Sequence, residues 1–232
     1  MLASICMSIY NARESFPQVL ASLECQKPDF DFEIVVVDDG SRERCQAACA
    51  PFPHVKYFYL GERPYYSNPS AGRNEAVRQS SGEVLICQSA EVVSHGNTIE
   101  QLVKAVLADP KTMVFAHVEE SNGSADLCSP RNPRAFFFLG AIMRKEYYAV
   151  GGNDEEFTQP GFDDDWLADC LTHNGVKAVW LDDATGTHIS HSRADQSPRG
   201  YQESANLYGL KRQSGNYKAA KSRLWDLTNP KS

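Results

Sequence analysis

Apolar residues recur along this chain with two alternating periods, and the alternation predicts its elements. "ASICMSIY" (residues 3–10) is a short strand of small and apolar residues, ended by Asn11. "SFPQVLASLECQ" then sets Phe16, Val19, Leu20 and Leu23 on one helical face. "FEIVVVDDGS" is a β-branched run that stops abruptly in polar turn residues, the pattern of a strand covered on both faces. "RERCQAACAPF" predicts a helix stopped by Pro51 and Pro53, and "VKYFYL" a third strand. "SAGRNEAVRQSSG" predicts another helix, with Ser70 at its N-cap and Gly82 closing it. The strand "EVLICQ", the amphipathic helix "TIEQLVKAVLADP" and the strand "TMVFAHVE" follow.

This order predicts an α/β fold with a mostly parallel central sheet flanked by helices. After about residue 120 the rhythm changes. "SNGSADLCSPRNPRA" is rich in turn residues, and "FFFLGAIMRKEYYAVGG" holds a strand and a short helix. "DDDWLADCLTHNG" predicts a helix ended by Gly175, and "VKAVWL" a last strand. The expected organisation is an α/β half over 1–120, a second half of the same domain over 121–198, and a helical tail over 199–232.

Charge separates the tail from the rest. The 232-residue chain carries a net charge of −7, which argues against a general nucleic-acid coat. Residues 199–232 hold seven Lys/Arg against two acids, a net of +5, so the remaining 198 residues carry −12. A basic tail on an acidic body points to an anionic partner or to a solvated helix surface. The longest apolar runs are far too short to span a bilayer, and no basic leader precedes the first one. Seven cysteines without a paired framework read as reduced thiols, so a cytoplasmic setting is expected. Cys45 and Cys49 fall four apart on a predicted helix, with no second pair or neighbouring His to make a metal site.

Open parallel sheets bind ligands at the carboxyl ends of their strands. Three strand ends here are polar: Ser8, Ile9, Tyr10, Asn11; then Asp38, Asp39, Gly40, Ser41; then Gln88, Ser89, Ala90, Glu91. The first strand is followed by no G-x-G-x-x-G, and the chain contains no G-K-[ST], which argues against a dinucleotide fold and a P-loop.

Taken in order, "SIYNARESF", "EIVVVDDGS", "AGRNEAVRQSSGEVLICQSAE" and "GGNDEEF…GFDDDW" resemble the GT-A glycosyltransferases, most closely those of family 2, over roughly residues 3–193. The resemblance implies an inverting hexosyl-type transfer from a nucleotide-sugar donor, usually UDP-linked, with Mn²⁺ or Mg²⁺. It implies that Ser8, Tyr10 and Asn11 contact the nucleoside, with Ser8 where the family often has Pro. Asp39, with Asp38 beside it, would accept from the uracil or ribose, a task that suits an acceptor-only carboxylate. Arg73 would bind the base or the diphosphate. "GEVLICQSAE" stands where the family usually has a D-x-D, so that Ser89 and Glu91 replace its two aspartates. Glu91 would anchor the metal, joined by His188 as first choice or His191 as second, both in "GTHISHSR".

Asp163, Asp164 and Asp165 sit where the family shows an E-D pair. Either Asp163 or Asp164 would be the base that takes the proton from the acceptor hydroxyl. Asp is also a favoured residue in a first helical turn. Gly151 and Gly152 would let backbone approach the sugar, and Trp166 would be a stacking face or a core residue. The run Phe136–Phe138 reads as core. The acceptor could be a glycan, a phospholipid-linked glycan or a modified nucleic acid. Two other readings compete: a relative that binds nucleotide-sugar without turnover, and a sugar nucleotidyltransferase. Nucleotidyltransferases usually carry a Gly-rich basic loop after the first strand, and "YNARESF" lacks the glycines.

Overall fold

The computed structural model describes residues 2–62, 68–190 and 198–225. Its elements in chain order are β1 (Leu2–Ile9), α1 (Phe16–Glu24), β2 (Asp31–Asp38), α2 (Gln46–Cys49), β3 (Val55–Tyr59), α3 (Ser70–Gln79), β4 (Val84–Gln88) and β5 (Val92–Ser94). They continue with α4 (Thr98–Ala108), β6 (Thr112–Glu120), β7 (Asp126–Cys128), β8 (Leu139–Met143), α5 (Arg144–Ala149), α6 (Asp163–His173), β9 (Lys177–His188) and α7 (Pro198–Ser214).

The apolar patterns act as expected where they are long. Phe16, Val19, Leu20 and Leu23 are all buried on α1, as are Ile99, Leu102, Val103 and Val106 on α4. Ile34–Val37 of β2 are sealed on both faces. Two local expectations change. The helix over 42–52 shrinks to the single turn α2, because the Asp38 carboxylate takes the Ser41 and Cys45 N–H groups and winds the loop around itself. Ser70 is the first residue of α3 rather than its cap. Asn68 Oδ1 accepts from the Ser70 N–H at 3.0 Å and from its hydroxyl at 2.6 Å.

The sheet runs β3-β2-β1-β4-β8-β6-β9-β5, with β7 added on β6. Its longest ladders, β1 with β2 and β6 with β9, are parallel, and β8 is inserted antiparallel between β4 and β6. Strands from both halves of the chain therefore interleave in one sheet. Because β4 and β6 both oppose β8, they share a direction, and β9 follows β6. The carboxyl ends of β1, β2, β4, β6 and β9 thus lie along one edge, with the amino end of β8 among them. The last strand extends well past residue 181 to His188, because "DDATGTH" goes on pairing with β6 beyond a bulge and with β5.

Three cations of the basic tail pair with acids of the body. Lys211 pairs with Asp154 at 2.7 Å and Glu156 at 2.5 Å, and Arg212 with Asp169 at 3.2 Å. Arg223 reaches Glu155 at 2.9 Å and Glu75 at 3.3 Å. Gly151 and Gly152, at φ 84° and 67°, pack against the same junction. A Cβ on Gly151 would sit 2.2 Å from the Trp225 ring, and one on Gly152 would meet Tyr147, Asn74 and Leu224.

Burial alone would raise the Glu75 carboxyl, but bonds from Arg78 and Gln79, with Arg223 behind them, hold it at about 2. A depressed carboxylate stabilises fully above its unfolded value near 4.5 and loses that contribution as pH falls toward 2. Arg223→Ala is accordingly expected to destabilise by about 2 kcal/mol at pH 7, between the values for exposed and buried pairs. Urea unfolding should show the deficit shrinking below about pH 4 as Glu75 protonates in both proteins. A deficit independent of pH would place the effect in packing instead.

All seven cysteines are free, and all but Cys25 are buried. No helix among the described residues is long and apolar enough to cross a membrane.

Candidate active site

The first wall of the site joins β1, β2 and α3. Gly72 lets α3 press against the strand ends, since a Cβ there would lie 2.1 Å from Ser8 Oγ, 2.9 Å from Ser8 Cβ and 3.4 Å from Asp39 Cβ. The next residue, Arg73, reaches across to Asp164 of α6 at 2.6 Å. The Asp39 N–H donates to the Ile9 carbonyl at 2.8 Å, and its side chain is 1% exposed. Asn11 adopts the left-handed region at φ 52°, which Asn tolerates better than most residues. It links the two loops: its N–H donates to Ser41 Oγ at 2.9 Å, and its Oδ1 accepts from Arg42 N at 3.0 Å. Tyr10 is half-buried next to it.

Asp38 departs from its expected role. Its Oδ1 accepts from Ser41 N at 2.8 Å, and its Oδ2 accepts from Cys45 N at 3.0 Å and from the Tyr57 hydroxyl at 2.7 Å. Fully buried and saturated by these bonds, this carboxylate builds the loop and does not face a ligand.

The second wall joins β4, β5, β6 and β9. The β1–β4 register ends at Cys6 with Cys87, so two residues further on Ser8 lies level with Ser89. Ser89 N donates to the Phe138 carbonyl at 2.8 Å, and Ser89 Oγ donates to Glu91 Oε2 at 2.6 Å. Val92 pairs with His188, and the Ile189 N–H donates to the Glu91 carbonyl at 2.8 Å, so the backbones of Glu91 and His188 lie at the same end of the β5–β9 ladder. His188 is buried against Phe138, ring centroids 5.5 Å apart, with Nδ1 3.3 Å from Glu120 Oε2. His191 lies outside the described residues.

Among the described residues, no three His, Cys, Asp or Glu side chains form a metal cage by themselves. Glu91 and His188 nevertheless fit as part of one. A carboxylate and an imidazole suit Mn²⁺ or Mg²⁺, which keep waters and take diphosphate oxygens in their remaining positions. Glu120 is also placed to fix the imidazole orientation, as carboxylates do behind metal-bound His. Sequence reading missed Glu120. Its signal was of the same kind as that of Glu91, an acid closing an apolar strand.

The third wall is the start of α6. Asp164 Oδ1 accepts from Arg73 Nη1 at 2.6 Å, and its Oδ2 accepts from the Phe137 N–H at 3.1 Å. Asp164 thereby ties α6 to α3 and to the segment before β8. Burial tends to lower the Arg73 guanidinium, yet the Asp164 charge beside it holds it above its usual value. Asp163 is 7% exposed. Burial, then the Asp164 charge, pushes it up to about 6, against the downward pull of Arg73 and an Asn68 hydrogen bond. Asp165 is raised by the same two causes. Trp166, which follows, is buried in the core, where it stacks on Tyr217 with ring centroids 5.5 Å apart. Of the Phe136–Phe138 run, Phe137 is core, while Phe136 and Phe138 are half-buried.

The structure thus brings Ser8, Asp39, Arg73, Ser89, Glu91, His188, Asp163 and Asp164 to one edge of the sheet. A shallow apolar hollow lined by Glu83, Met143, Arg144, Lys145 and Tyr148 lies at the opposite edge, where β4 begins and β8 ends.

Comparison with known proteins finds relatives of this fold. The sequence profile described as glycosyl transferase family 2 matches residues 4–159. An undecaprenyl-phosphate 4-deoxy-4-formamido-L-arabinose transferase of Pseudomonas syringae is 32% identical over 115 residues, 44% of this chain and 31% of that protein. An uncharacterized glycosyltransferase, YfnE, of Bacillus subtilis is 28% identical over 109 residues, 45% of this chain and 27% of that protein. The matched region therefore covers about three-tenths of these curated relatives. Among solved structures, S. aureus TarS 1-349 in complex with UDP superposes with a TM-score of 0.69 at 19% identity, covering 91% of this chain and 65% of that one. The mannosyltransferase PcManGT of Pyrobaculum calidifontis, in complex with GDP-Man and Mn²⁺, gives a TM-score of 0.70 at 19% identity, covering 95% and 65%. These neighbours are GT-A glycosyltransferases, and the architecture described above is the GT-A fold.

Proposed function

The chain belongs to glycosyl transferase family 2, and from that membership we propose that it moves a sugar from a UDP-linked donor to an acceptor hydroxyl, with inversion and with Mn²⁺ or Mg²⁺. The observation that carries this reading is the convergence on one sheet edge of a nucleoside-side acid (Asp39), a Glu91–His188 pair and a buried acid pair (Asp163–Asp164). Solved neighbours support the donor class, since their structures hold UDP, or GDP-Man with Mn²⁺.

Asp39 accepts from the uracil or ribose, with Ser8, Tyr10 and Asn11 around the nucleoside. Glu91 and His188 would hold the divalent ion, with Ser89 positioning the Glu91 carboxylate through its 2.6 Å bond. When bound, the ion would supply charge neutralisation for a diphosphate leaving group. Arg73 holds Asp164 in place through its 2.6 Å bond. The acceptor oxygen attacks the anomeric carbon, the bond from that carbon to the diphosphate oxygen breaks, and the acceptor proton passes to the Asp163–Asp164 pair. Inversion follows from a single displacement. The acceptor is a glycan, a phospholipid-linked glycan or a modified nucleic acid. Three of the tail's cations, Lys211, Arg212 and Arg223, are taken up by acids of the body.

The test is UDP release from a panel of UDP-sugars, with thermal shift under UDP, each with and without Mn²⁺. The native chain should show Mn²⁺-dependent release, and Glu91→Ala should lose the Mn²⁺-dependent part of UDP stabilisation. Equal metal dependence in that variant would remove Glu91 as a ligand. The replacement of an expected Asp by Ser89 favours the second reading, a binder without turnover. UDP binding without release from any donor would establish that instead.

A further inference from the structure

Directly before the acid pair, the backbone turns through two successive positive-φ residues, Gly161 at 88° and Phe162 at 65°. Glycine occupies this region at no steric cost, whereas a bulky residue is an outlier there. The chain nonetheless places a phenylalanine at the second position, immediately before Asp163. Its carbonyl accepts the first bond of α6, from Trp166 N at 3.0 Å, so the Phe162 conformation sets where that helix starts.

The ring is gripped from α7. Tyr201 lies 5.1 Å from it between centroids, and Tyr208 stacks on it at 5.4 Å with 26° between planes. Tyr201 also covers Gly161, where an added Cβ would meet its ring at 2.9 Å. The Tyr208 hydroxyl donates to Asp169 Oδ2 at 2.9 Å, one and a half turns further along α6. Ser204 Oγ donates to the Gln159 carbonyl at 2.9 Å, the same carbonyl that receives Asn68 Nδ2 at 3.0 Å. One face of α7 therefore touches the acid-bearing segment before, at and after Asp163. Tyr201 is 55% exposed, so core packing does not account for its place on Gly161 and Phe162.

We infer that Phe162 is a positioning residue for transfer: Tyr201 and Tyr208 clamp its ring, the clamp holds its backbone in the left-handed region, and that conformation sets Asp163 and Asp164 against Arg73 and the Phe137 N–H. The inference rests on the acid pair being the base, as proposed above. It assigns the tail a role that its charge pattern did not suggest. The groups that face Asp163 are Asp164 on its own helix, Arg73 from α3 and Asn68 from the segment before α3. A shift of the α6 start changes its distance to all three.

The experiment uses the full chain and the variants Phe162→Ala, Phe162→Tyr and Tyr201→Ala. One readout is kinetic, kcat against donor KM. The other is a ¹³C NMR titration of the Asp163 carboxyl, assigned with Asp163→Asn and recorded without substrate. Phe162→Ala and Tyr201→Ala should lower kcat ~10- to 100-fold, the scale of a small misplacement of reacting groups, with donor KM within about twofold. In both, the Asp163 titration should move from about 6 toward the ordinary carboxylate range. Phe162→Tyr, which keeps the ring, should retain both properties. An unmoved titration in Phe162→Ala and Tyr201→Ala overturns the inference, whether or not kcat falls. The NMR readout needs no turnover, so a chain that transfers no sugar would refute the functional reading while still deciding this one.

Discussion

Asp164→Asn is expected to abolish transfer and to cost about 3–5 kcal/mol of stability, the scale for breaking one side of a buried ion pair. Arg73 is 6% exposed and its Nη1 lies 2.6 Å from Asp164, so the substitution leaves a buried guanidinium without its counter-charge. The link from Asp164 to the Phe137 N–H weakens as well. Asp163→Asn should behave in the opposite way for stability. The Asp163 carboxyl is raised from 3.8 to about 6, so between those values the folded state holds a proton that the unfolded state has released. Stability therefore falls as pH rises through that window, and the penalty persists at neutral pH. Removing the charge should stabilise the chain by roughly 1–2 kcal/mol at pH 7.5, given about 1.4 kcal/mol for each tenfold change in acidity and a discount for the lost attraction of Arg73.

The same substitution should cut transfer by ~10²–10⁴-fold, the usual contribution of a positioned base, while UDP affinity is retained. In the native chain the acid limb of kcat should fall near pH 6, where Asp163 takes up a proton. Urea unfolding and pH–rate profiles of the two variants give the answer. Full transfer rates in both would place the base elsewhere, and a destabilised Asp163→Asn would contradict the charge penalty.

Gly72→Ala should damage both stability and nucleotide binding. Its Cβ would fall 2.1 Å from Ser8 Oγ and 2.9 Å from Ser8 Cβ, separations no relaxed packing tolerates. The hydroxyl can rotate away, but Ser8 Cβ is fixed to β1, so α3 must lift from the strand end and carry Arg73 away from Asp164. A loss of about 1–3 kcal/mol is expected from overpacking. Nucleotide affinity should fall with it, because the floor beneath Asp39 moves. Adding Ser8→Gly removes the atoms in the way and should restore much of the stability. If the double variant is no better than Gly72→Ala, the clash is not the cause. Calorimetric unfolding and UDP titration measure both parts.

The strands and helices with long, regular apolar patterns were legible in the sequence, because burial of a face is a local property of residue spacing. β2 with Ile34–Val37, α1 and α4 follow directly from that rule. The three-residue strands β5 and β7 were not legible, because segments that short carry no period, and they exist through pairing with β9 and β6. The family was legible from the ordered motifs around Asp39, Arg73, Glu91 and Asp163. Asp38 and Asp39 are adjacent and chemically alike, and only the loop that folds onto Asp38 marks it as the structural carboxylate of the two.

Sequence alone therefore determined the class of fold, the buried faces and the acids available for chemistry, because residue spacing and side-chain type belong to the chain itself. Tertiary structure decided which acids meet. The reversed β8 gives β4, β6 and β9 a common direction, and so sets Glu91, Glu120 and His188 at the edge that holds Asp39. It also decided that the tail's cations close on Asp154, Glu155 and Asp169, because attraction between distant charges depends on where the backbone carries them.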